Sequence, residues 1–122
     1  MTARTAAILG ASFAGLAVAL GAFGAHALRS RLAERDLEIF ETAVRYQMYH
    51  AVALFIAAAL LARGIAQAAT AAWAFTAGII LFAGSLYAMV FTGARWLGAV
   101  TPIGGAAFLV GWALVAIASR RL

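Results

Sequence analysis

Four stretches of this chain, residues 5–28, 46–62, 70–92 and 97–119, are almost unbroken apolar sequence. A helix rises 1.5 Å per residue, so about 20 apolar residues cross the roughly 30 Å of hydrocarbon in a bilayer. Backbone polar groups find no water there, and helices satisfy all of theirs internally. The runs therefore predict four spanning helices. With 66% hydrophobic and 11% charged residues, the chain lies far from soluble domains, which carry roughly 25% charge. A single domain of 122 residues has no water-soluble core large enough to absorb that much apolar surface.

The connections around 63–69 and 93–96 are short, which makes consecutive helices antiparallel neighbours. The predicted fold is an all-α, integral membrane, antiparallel four-helix bundle. Between spans one and two lies a charged stretch at 29–45 that holds all four acids. Within 31–45, Ala33, Leu37, Phe40 and Val44 share one helical face, and Glu34, Glu38, Glu41 and Arg45 share another. Glu41 precedes Arg45 by four residues, the favourable order for a side-chain pair. This stretch is predicted as an interfacial amphipathic helix with a solvated acidic face. No Gly or Pro occurs between Ala25 and Gly64, so it can run straight into the second span.

The formal charge of +5 comes from nine arginines and no lysines. They flank the apolar runs, as expected of side chains that snorkel to headgroups. No basic cluster is interleaved with stacking aromatics, which argues against nucleic acid as a partner. Arg4, Arg63, Arg120 and Arg121 fall on one side of the membrane. Arg29, Arg31, Arg35, Arg45 and Arg95 fall on the other, so the positive-inside bias selects no orientation. The absence of cysteine removes disulfides, thiolate metal sites and cysteine nucleophiles.

The first run has a rival interpretation. Arg4, an apolar core and Ala25-His-Ala27 have the outline of a cleavable signal, but the core exceeds the usual 7–15 residues, which favours a retained helix. Along that helix Ala11, Gly15, Ala19, Ala22 and His26 form a small-residue stripe. Such stripes let helices approach closely in lipid. The stripe predicts that His26 ends a helix–helix seam, with Gly15, Gly21 and Gly24 serving the packing.

The second run is too short by itself, so its polar start, Tyr46-Gln-Met-Tyr-His50, must enter the edge of the bilayer. Tyr46, Gln47 and His50 share a face and can bond inward, while Tyr49 fits an interfacial tyrosine belt. The third run carries Gly84-Ser-Leu-Tyr87 and the fourth opens Thr101-Pro-Ile-Gly-Gly105. Ser85 can bond its own helix backbone, and Pro102 suits a first helical turn. Gly84, Gly104 and Gly105 permit close approach. Antiparallel connectivity then gathers His26, His50, Tyr46, Gln47, Ser85, Tyr87 and Thr101 at similar depth in one leaflet.

Polar groups in lipid are costly unless paired, and ionisable ones are candidates for function. The cluster is expected either to lock the bundle internally or to hold a small ligand, ion, proton or lipid headgroup. Haem or metal ligation by the two histidines has no HxxxH, carboxylate–histidine spacing or cysteine behind it. No cofactor is expected.

Taken together, Gly21-Ala-Phe-Gly-Ala-His26-Ala-Leu, Val44-Arg-Tyr-Gln-Met-Tyr-His50-Ala, Gly84-Ser-Leu-Tyr87, and Thr101-Pro-Ile-Gly-Gly with Gly111-Trp112 resemble the domain-of-unknown-function 423 family. That family comprises small bacterial inner-membrane proteins and resembles the eukaryotic transmembrane protein 256. One position departs, since Ala27 stands where the family more often has glycine. The resemblance implies a multi-pass membrane protein in the bacterial inner membrane, with the first helix kept and no catalytic residues to transfer. The favoured expectation is a non-enzymatic structural, assembly or lipid-interacting protein. Its partners would be membrane lipid and either further copies of itself or a larger membrane complex. A small oligomeric transporter or channel is the alternative, and a histidine-ligated redox enzyme is a minor one.

Overall fold

The computed structural model describes residues Met1–Leu122. Four helices are long and apolar enough to cross a membrane: α1 (Ala3–Leu28), α2 (Glu34–Ala62), α3 (Ala68–Thr92) and α4 (Arg95–Ser119). Thr2 caps the start of α1, its hydroxyl accepting from the Thr5 N–H. Glycines end α2 and α3. Gly64 (φ 81°) closes a Schellman turn in which the Ile65 N–H reaches the Leu60 carbonyl and the Gly64 N–H reaches Leu61. Gly93 (φ 73°) takes the same left-handed conformation, open to glycine at little cost. The fourth helix opens with a tighter turn at Arg95–Ala99, and Pro102 occupies its first regular α-helical turn.

The second helix runs on without a break, as the absence of Gly and Pro between Ala25 and Gly64 allows. The amphipathic stretch and the apolar run form one uninterrupted helix of 29 residues. Phe40 is the reason: it is fully buried, with its ring seated against Gly24 of α1. A helix in the membrane plane would have to leave that seat. The solvated face is as expected, with Glu34 and Glu38 exposed. The ion pair that forms is Arg95–Asp36 at 3.2 Å, which ties the start of α4 to the start of α2.

α2 is the hub, packing against each of the other three helices, and α3 pairs closely with α4. The main core joins Ala53, Leu54 and Ala57 of α2 to Ala71, Phe75 and Ile79 of α3 and to Phe108 and Val115 of α4. α1 and α4 flank the bundle and turn most of their surface outward. Lipid gives little hydrophobic drive for helices to associate, so close fit has to hold them. The fit here is aromatic against glycine: Phe108 on Gly78, Phe75 on Gly111, Phe40 on Gly24, and Phe55 with the Ala51 carbonyl on Gly10. Gly104 lies directly against the backbone of Phe82. Two helices widen locally, at Gly24–Leu28 and at Ile79–Ala83, the second beside the Phe82–Gly104 contact.

The seam of α1 runs through Ala6, Gly10, Ala17, Gly24 and Leu28, all buried. Ala11, Gly15, Ala19, Ala22 and His26 are all exposed, so the stripe expected to form the seam faces outward. Both faces of α1 are lined with small residues, and what selects between them lies on α2, in Phe40 and Phe55. Space around Gly15 and Gly84 is open, Gly105 has only ordinary contact with Phe82 at 3.9 Å, and Gly21 meets Val44 at 3.4 Å.

A Cβ at Gly104 would collide with main chain that has no rotamer to yield. Gly104→Ala is therefore expected to cost about 1–3 kcal/mol, read as a lower thermal midpoint in detergent. Gly15→Ala and Gly84→Ala should leave the midpoint unchanged or slightly raised, because alanine is the better helix former. Equal midpoints for all three variants would contradict the α3–α4 contact described here.

Candidate functional site

Depth in the membrane follows from the charged ends of α2. The Asp36–Arg95 pair marks one aqueous boundary and Arg63, just past the last residue of α2, marks the other. The 27 steps from Asp36 to Arg63 span about 40 Å at the helical rise, close to a full bilayer with headgroups. His50 lies about 21 Å from the Asp36 level, about halfway between the two charged ends of α2. It does not sit at the membrane edge, because the span begins at Glu34 and not at Tyr46.

Three polar links cross between the helices. Gln47, 2% exposed, donates through Nε2 to the Phe13 carbonyl of α1 (2.8 Å) and accepts at Oε1 from the Tyr87 hydroxyl of α3 (2.8 Å). A carbonyl can only accept, which fixes the amide orientation. One side chain thereby joins three helices.

His50 makes the second link. Its Nδ1 lies 2.6 Å from the Tyr46 carbonyl, one turn back on α2, and its Nε2 lies 3.2 Å from the Trp112 indole nitrogen of α4. An indole N–H only donates and a carbonyl only accepts. The geometry therefore fits a neutral imidazole with its proton on Nδ1. The ring also stacks on Phe108, with centroids 3.4 Å apart and planes at 5°. With both nitrogens engaged, His50 has no free lone pair for a metal.

In the third link, Thr101 Oγ1 of α4 and Ser85 Oγ of α3 lie 2.6 Å apart, and Ser85 also reaches the Phe82 carbonyl at 3.0 Å. The chain of donors closes if Thr101 donates to Ser85 and Ser85 donates to Phe82.

His26 stands apart from all three. The contacts Gly24–Phe40, Gly21–Val44 and Gly10–Ala51 place it level with about residue 38 of α2. That is about 18 Å from the His50 level, in the headgroup zone, on an exposed face. The two imidazoles expected to be inward neighbours in one leaflet are thus separated along the membrane normal and by face. Tyr46, Gln47 and His50 lie deeper, while Thr101, with Ser85 bonded to it, lies only about 9 Å from the Arg95–Asp36 level.

Trp112 and Phe108 complete the His50 surroundings, yet as isolated apolar residues in an apolar run they gave no polar signal. The Gly104, Phe108, Gly111 spacing, with an indole one residue further on, is the pattern that marks this face. Tyr46, Tyr49, His50, Phe82, Phe108 and Trp112 line an open cleft of about 420 Å³ between α2 and α4. A smaller groove of about 240 Å³ lies between α1 and α2 over Gly21, Gly24 and Phe40, rimmed by Glu41 and Arg45.

Comparison with known proteins bears on the same features. The profile of a family described as "Protein of unknown function (DUF423)" matches residues 20–105, a stretch that includes the Gly21–His26 motif, all of α2 and the Ser85–Thr101 contact. The UPF0382 membrane protein YwdK of Bacillus subtilis (strain 168) is 47% identical over 116 residues, covering 93% of this chain and 94% of its own. A UPF0382 membrane protein of Staphylococcus aureus (strain bovine RF122 / ET3-1) is 45% identical over 114 residues, covering 93% of each chain. No solved structure matches. With near-complete coverage at that identity and four spanning helices, the chain belongs to the DUF423 family of multi-pass membrane proteins.

Proposed function

We propose that this protein is a non-catalytic structural or assembly component of the bacterial inner membrane. In this proposal its central polar side chains act as glue between helices, and membrane lipid, further copies or a larger complex pack on the outside. The observation that carries this reading is Gln47, whose amide is bonded at one end to α1 and at the other to α3. No buried side-chain nitrogen or oxygen is left without a partner. Groups already committed to neighbouring helices do not offer a solute a row of exchangeable contacts. The outer faces of α1 and α4, with Ile8, Leu16, Val18, Leu109, Val110 and Ile117 exposed, suit acyl chains or another apolar helix.

The glue reading is tested at Gln47 and Tyr87. Gln47→Leu leaves the Tyr87 hydroxyl unpaired among apolar neighbours, at an expected loss of about 1–3 kcal/mol in bilayer or detergent stability. Tyr87→Phe in the same chain removes the orphaned group. The double variant should recover at least half of the loss, because replacing both partners is far cheaper than removing one. Additive losses would mean the two side chains are not coupled.

The histidines provide a separate test. His50→Ala should lower the thermal midpoint clearly, through the lost Phe108 stack and Trp112 bond, whereas His26→Ala should leave it within error of the parent. Proteoliposomes containing the parent should pass no more protons or small ions than protein-free vesicles. A protein-dependent flux abolished by His50→Ala would overturn the proposal in favour of transport.

A further inference from the structure

The cleft between α2 and α4 carries an inference that goes beyond the structural role. Its walls are aromatic, and the bonded His50–Trp112 pair is part of its lining. Tyr46 lies near-parallel to His50 and to Phe108, at 23° and 28°, and packs on Phe82 with centroids 4.8 Å apart. Tyr46, His50 and Phe108 are thus near-parallel, whereas Tyr49, Trp112 and Phe82 are tilted by 60°, 59° and 52° from Tyr46, His50 and Phe108 respectively.

Two groups on this lining are unexplained by the bundle. Tyr46 and Tyr49, 41% and 55% exposed, stand at the mouth of the cleft with no protein acceptor for either hydroxyl, while Tyr87, the third tyrosine, is bonded to Gln47. Their Cα atoms lie about 15 and 20 Å from the Asp36 level, just past the exposed Arg45. A hydroxyl taken from water into hydrocarbon without a partner is costly. An acyl chain offers no acceptor, so an occupant that pairs these hydroxyls must bring an oxygen into the cleft. The aromatic walls favour a flat ring, the volume of about 420 Å³ lies in the range of small-molecule sites, and the open side of the cleft leaves room for an apolar tail.

We propose that the α2–α4 cleft binds a flat, carbonyl-bearing ring on an apolar chain, the chemistry of an isoprenoid quinone, with the Tyr46 and Tyr49 hydroxyls donating to its carbonyl oxygens. The proposal is one of binding and involves no electron transfer. Gly105 borders the same cleft, and a Cβ there meets only Phe82, at ordinary contact distance, which makes it the position at which to fill the cleft.

The test uses decylubiquinone and the fluorescence of Trp112 in lipid nanodiscs. Trp73→Phe and Trp96→Phe, both at exposed positions, leave Trp112 as the only tryptophan. Tryptophan octyl ester in protein-free discs supplies the collisional baseline. The expected result is saturable quenching near one quinone per protein. Gly105→Leu should reduce it to the linear baseline, and Tyr46→Phe with Tyr49→Phe should weaken it at least tenfold. Linear quenching equal to the ester control would overturn the proposal. Saturable quenching unchanged by removing both hydroxyls would also overturn it, since the cleft would then accept any apolar molecule. Neither result touches the structural role, which is tested by stability and flux.

Discussion

A buried amide with two committed ends holds the centre of this bundle. In a medium without water, a primary amide has few places to go, and Gln47 directs one end to α1 and the other to α3. Slippage of either neighbour along its axis would separate a donor from an acceptor that lipid cannot replace. Register is thus specified by polar chemistry, although most of the buried surface is alanine, leucine and phenylalanine. The His50–Trp112 and Ser85–Thr101 contacts extend the same control to α4.

Shape does the rest. Glycines on α1, α3 and α4 receive aromatic rings or main chain from the opposing helix, and these seats recur along the α1–α2 and α3–α4 pairs. Dispersion between closely fitted surfaces is the main attraction available to helices in lipid, and it falls quickly with separation. The two kinds of contact reinforce each other. Glycine seats bring the helices near enough for short side chains such as Ser85 and Thr101 to touch, and those bonds then restrict sliding along an otherwise uniform surface.

Much of this was legible in the sequence. The number of spans, their antiparallel order and the inward role of Gln47 follow from hydropathy, loop length and the cost of burying polar groups. Two kinds of information were not local. The face of α1 that packs could not be read from α1, because small residues line both sides of it, and Phe40 and Phe55 on another helix make the choice. The depth of His50 depended on where α2 begins. Counting the span from its first apolar residue misses three turns of amphipathic helix, and that error carries His50 to the membrane edge and His26 alongside it. The partnership with Trp112 lies 62 positions away, beyond the reach of periodicity.

The place of α2 in the chain has a consequence for biogenesis. As the second helix to emerge, it can form a hairpin with α1 before α3 has been synthesised, and that hairpin already satisfies one end of the Gln47 amide. The other end waits for Tyr87, almost at the close of the third helix. Until then the nascent hairpin exposes an unmet carbonyl oxygen on the side where α3 must dock. Insertion thus leaves a marked surface: a polar tag within the hydrocarbon that distinguishes the correct incoming helix from any other apolar segment nearby.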